Sequence, residues 1–106
     1  MATITIAVRT DGYPDFEIEQ DLDGRVYILA FSWNEREESW YMNLSDDEGD
    51  PILEGAKLVV NWPITRRLTD ARRPPGEIMA VDTVTPSSDP LQADLGNRVQ
   101  VVYEEA

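Results

Sequence analysis

Four arginines, Arg66, Arg67, Arg72 and Arg73, crowd into one short segment of a chain that is otherwise strongly acidic. They are four of nine basic residues, only Asp70 opposes them within the segment, and the whole chain carries 21 acidic residues and a formal charge of −12. A guanidinium presents a planar fork of donors that fits a carboxylate bidentately, so the chemistry on offer is recognition of an acidic partner. Arg72-Arg73 run into Pro74-Pro75-Gly76, where two missing amide donors and a glycine preclude regular structure. The pattern predicts a stiff, basic docking loop. Glu35 and Arg36, in the polar stretch N-E-R-E-E-S, are the second candidate contact. The same chain offers acidic surface as well, and copies with segregated charge can associate head to tail into a ring.

Other chemistries fit less well. There is no histidine and no cysteine, which removes imidazole acid-base catalysis, thiol nucleophiles, disulfides and thiolate metal sites. Glu35, Glu37 and Glu38 share one exposed tip, whereas glycoside hydrolysis needs two carboxyl groups held apart in a rigid cleft with opposed environments. The stretches Asp21 to Gly24 and Asp46 to Asp50 lack the ligand alternation and the later Glu of a calcium loop, and read as solvated turns. Trp33, Trp40 and Trp62 could stack sugars or bases, but they lie in apolar runs at strand spacing and are expected in the core. The expectation is a chain that is not an enzyme and has no cofactor and no metal.

The elements that must position these residues are strands. Arg25 to Trp33 and Trp40 to Leu44 are rich in aromatic and β-branched residues and flank a polar reversal, which predicts a β-hairpin. If Trp33 faces Trp40, then Phe31 faces Met42 and Leu29 faces Leu44, so that one face carries three large apolar pairs. A slip of one residue would set Phe31 against Asn43 and spoil that face, so the register is specified. Thr3 to Val8 and Phe16 to Glu19 alternate with period two, and Gly24 suits a positive-φ turn before the hairpin, so the first half reads as a meander. Gly49 suits a left-handed position after Ser45 to Glu48, and Pro51 must begin a strand or sit on an edge.

Further on, Leu58 to Trp62 reads as a buried strand ended by Pro63, and Pro63 to Leu68 as about one helical turn. Glu77 to Thr83 is a short strand, Thr85 to Gly96 a long connection, and Arg98 to Tyr103 a last strand expected to close the sheet. The sum is an all-β fold, a small antiparallel sandwich or partly closed barrel of about seven strands with at most one helical turn. With 106 residues the chain is expected to form one domain over 1–106. No signal-like leader and no apolar run near the ~20 residues that span a bilayer are present, so a soluble protein made in a cytoplasm is expected. The net charge argues against nucleic-acid and membrane partners.

The spaced motifs carry a resemblance. F-S-W-N-E-R-E-E-S-W-Y-M-N-L-S-D-D-E-G-D-P-I-L-E-G, then K-L-V-V-N-W-P, then R-x-P-P-G-E-I-M-A-V-D-T, and finally D-L-G-N-R-V-Q-V-V-Y stand in order. From about Phe16 to Tyr103 the chain resembles the cyanophage-type baseplate plug family of contractile-tailed bacteriophages. The matching motifs fall at Trp33 to Tyr41, Asp46 to Leu53, Pro75 to Asp82 and Asp94 to Val99. The resemblance implies a virion structural protein of the tail baseplate, packed against hub, tube, spike or wedge proteins in several copies around the tail axis. It implies no catalytic residues. Two readings compete: a small acidic mimic of nucleic acid that occupies a basic groove, and a hydrolase built on Asp and Glu alone.

Overall fold

The period-two runs become seven strands: β1 (Thr3–Ile6), β2 (Asp15–Leu22), β3 (Arg25–Asn34), β4 (Ser39–Asp46), β5 (Pro51–Lys57), β6 (Glu77–Asp82) and β7 (Val99–Glu104). The structure is a computed structural model that describes residues 3–11, 13–65, 74–83 and 89–105. Among them there is no helix; Ile64 and Thr65 belong to a turn, and the rest of the helical turn expected to Leu68 lies outside the described residues. The strands form two antiparallel sheets, β2-β3-β4-β5 and β1-β7-β6, and no closed barrel.

The hairpin takes the expected register. Trp33 faces Trp40, Phe31 faces Met42 and Leu29 faces Leu44, while Ser32, Ala30 and Ile28 face Tyr41, Asn43 and Ser45 on the other side. The apolar face is buried: Leu29, Phe31, Trp40, Met42 and Leu44 are each at most 1% exposed. Phe16 from β2 stacks on Phe31 at 5.0 Å and meets Trp40 edge-on at 5.9 Å, extending the cluster to the edge strand. From the other sheet Ile6, Ile78, Val101 and Tyr103 complete one core. Each large side chain so buried contributes about 1.5–3 kcal/mol against the entropy of ordering it.

The turns follow their residues. Asp23 and Gly24 both have positive φ, 57° and 86°, which makes the two-residue link between β2 and β3 a turn whose twist matches that of the strands. Gly49 sits at φ 88°, and Asp46 Oδ1 accepts from the amides of Glu48 and Asp50 to hold the link into β5.

Three expectations need correction. Leu58 to Trp62 is not a strand: Asn61 turns left-handed at φ 62°, only Val60 forms a bridge, to Ala80, and Trp62 is 51% exposed rather than in the core. The meander starts at β2, because β1 pairs with β7 in the other sheet. Finally, β7 does not close a sheet but lies in the middle of one, between β1 and β6, which is why Val102 is buried as well as Val99, Val101 and Tyr103.

Candidate partner-binding surfaces

Arg66, Arg67, Arg72 and Arg73 lie outside the described residues, but both roots of their segment are defined. On one side Thr65, fully buried, accepts the Ile78 amide at its Oγ1 (3.2 Å), and the Ile64 amide donates to the Ile78 carbonyl (2.9 Å). On the other side Pro74 is buried and the Gly76 amide donates to the Tyr103 hydroxyl at 2.7 Å. A Cβ on Gly76 would collide with the Glu104 carbonyl oxygen and that hydroxyl, so only glycine fits. The basic segment therefore leaves and re-enters the fold next to one strand, β6, and both ends are fixed.

Tyr103 is the keystone of this base. Its hydroxyl accepts from Gly76 and donates to Asp23 Oδ2 at 2.6 Å, joining the Pro-Pro-Gly segment, the central strand of one sheet and the β2–β3 turn of the other. Burial, with the Asp23 carboxylate next to it, pushes the phenol well above its ordinary pKa, so it stays a donor. Tyr103→Phe leaves a buried amide without an acceptor. It should lower stability by about 1–3 kcal/mol, seen in urea as a lower midpoint at unchanged slope. An unchanged midpoint would show that the Gly76 amide finds another acceptor.

Glu35 and Arg36 are together, exposed, at the far end of the β3–β4 hairpin. The tip is ordered by its own polar groups. Trp33 Nε1 donates to Glu35 Oε2 (2.7 Å), the Tyr41 hydroxyl to Glu37, and the Glu37 amide to Asn34 Oδ1 (3.0 Å). With Ser32 and Gly55 these residues line an open cleft of about 660 Å³. Trp33 is only partly buried, so one edge of its ring belongs to the tip rather than the core. Since Gly76 is bonded through Tyr103 to the turn that precedes β3, the basic segment's root and the tip stand at opposite ends of a ten-residue strand. That separation is about 30 Å.

Residues 3–106 match the family described as cyanophage baseplate Pam3 plug gp18. The chain belongs to that family. No curated protein matches it. Membership makes it a bacteriophage structural protein of the tail baseplate. Among the described residues no group of three or more potential metal ligands comes together. The family-type motifs prove to be fold devices. Asp46 and Gly49 shape a turn, Gly76 is forced by close packing, and Arg98 bonds both Asp82 and Asp94 (3.0 Å to the latter). That guanidinium holds the Asp94 carboxyl below its usual pKa, and Gly96 between them has φ 81° with no room for a Cβ beside the Arg9 carbonyl. At these positions the motifs mark how the chain folds.

Sequence reasoning passed over one surface altogether. Asp15, Glu17, Glu19 and Asp21 alternate along β2 and all face solvent on one side of the sheet. The period-two signal was present in D-F-E-I-E-Q-D-L, with the acids as its polar half.

Proposed function

We propose that the protein is a plug-like assembly component at the centre of a contractile tail baseplate, packed in several copies against hub, tube, spike or wedge proteins. The match over residues 3–106 carries this reading. The fold supports it. The root of the basic segment at Gly76 and the hairpin tip with Glu35 and Arg36 stand at opposite ends of β3, an arrangement suited to bridging two neighbours. Arg66, Arg67, Arg72 and Arg73 are the docking residues for carboxylates on one neighbour, and the adjacent Pro74-Pro75 lowers the entropy lost on binding. Neither nucleic acid nor membrane takes part. The acidic-mimic reading draws on one observation, the four exposed carboxylates along β2, which form the line of charge that a mimic needs.

Location separates the two readings. In disrupted and fractionated virions the protein should travel with tails and baseplates, in stoichiometric amount. Its recovery only from infected-cell lysate, bound to a nucleic-acid-binding protein, would overturn the assembly role.

A further inference from the structure

β2 ends its sheet, and among the described residues no strand pairs with its outer edge. Across the β2–β3 ladder the Trp33 amide donates to the Pro14 carbonyl, and the register places Asp15 opposite Ser32 and Leu22 opposite Arg25. Antiparallel pairs alternate between bonded and non-bonded, so Phe16, Ile18, Gln20 and Leu22 spend their backbone groups on β3. The backbone groups of Asp15, Glu17, Glu19 and Asp21 point away from the sheet, and among the described residues no strand pairs with them.

The other edges are blunted. β5 begins with Pro51 and is bulged opposite Met42 to Leu44, β6 carries the Val60 bridge along its outer side, and β1 is only four residues long. β2 has eight residues, no proline and an unbroken register. On its inner face Phe16 and Ile18 remain partly exposed although they pack on the core, and among the described residues no further strand pairs beyond them. On its outer face stand only carboxylates.

We infer that the β2 edge is a strand-addition site for an extended segment of a partner protein that alternates basic and apolar side chains. Backbone pairing would use the outward groups of Asp15, Glu17, Glu19 and Asp21. Side chains of an added strand lie about 4.5–5.5 Å from their neighbours, which puts its basic residues against Glu17 and Glu19 and its apolar ones over Phe16 and Ile18. A second copy of this chain is excluded, since pairing two β2 edges would set four carboxylates against four. The inference rests on the assembly reading only for where the partner comes from; the edge chemistry stands on its own.

The test uses the isolated protein and two synthetic peptides, one alternating Lys and Val, the other of the same composition with its lysines in one block. The alternating peptide should slow amide exchange at Glu17 and Glu19, and the block peptide should not. Glu17→Lys combined with Glu19→Lys, both exposed positions, should weaken binding about tenfold or more, as two attractive cross-strand pairs become repulsive. Glu19→Pro removes only an outward amide, is tolerated on an edge, and should abolish the exchange protection that the peptide gives at Glu17. Equal binding of both peptides, binding without protection at Glu17 and Glu19, or no binding would each overturn the inference. None of these outcomes touches the virion location of the protein, which is measured separately.

Discussion

Trp40→Ala should cost the fold about 3–5 kcal/mol, the usual range for emptying a buried Trp site. The ring is 1% exposed, lies 5.7 Å from Trp33 and 5.9 Å from Phe16, and so sits where the apolar pairs of the hairpin meet the edge strand. Its Nε1 also donates to the Leu91 carbonyl at 3.1 Å, so truncation releases the connection that leads back to β7 as well as opening a cavity. Trp33→Ala should cost less, since that ring is only partly buried and its Nε1 bonds to a surface carboxylate. Urea titration of both variants reads the difference directly. Equal and small losses would show that the hairpin face is not the core.

Reversing Arg66, Arg67, Arg72 and Arg73 to Glu should stop incorporation into tails, the largest functional effect expected of any surface change. Turning guanidinium groups into carboxylates at a docking surface converts attraction into repulsion and costs several kcal/mol. The isolated variant should stay folded, because both roots of the segment are held by Thr65, Pro74 and Gly76, none of which is altered. A thermal melt establishes that first. Complementation of a phage lacking the gene then gives plaque counts and the amount of protein in purified particles. Normal counts with normal incorporation would shift the interface to the tip from Asn34 to Ser39, with Glu35 and Arg36, or to the connection from Thr85 to Gly96.

The hairpin was legible in the sequence because period two and residue size act together there. Only one register pairs Trp33, Phe31 and Leu29 with Trp40, Met42 and Leu44, and every slip buries a polar group. The turns at Gly24 and Gly49 were legible because glycine takes positive φ without strain. Leu58 to Trp62 misled for the converse reason. Its composition suits a strand, but Asn tolerates the left-handed region, and Asn61 there lets Trp62 turn outward before Pro63. Sheet membership of β1 and the central place of β7 depend on long-range pairing that local pattern does not encode. The Tyr103 to Gly76 and Asp23 contacts span 27 and 80 residues, so the base of the basic segment emerges only from the fold.

The central claim is that this chain is built into the baseplate on the tail axis. Difference density between tails of a phage with the gene and of one without it measures this directly. The account expects the density lost with the gene to lie at the centre of the baseplate, in a shape that accepts the two-sheet sandwich. Unchanged density there, or density lost only from the head or the tail fibres, would contradict it.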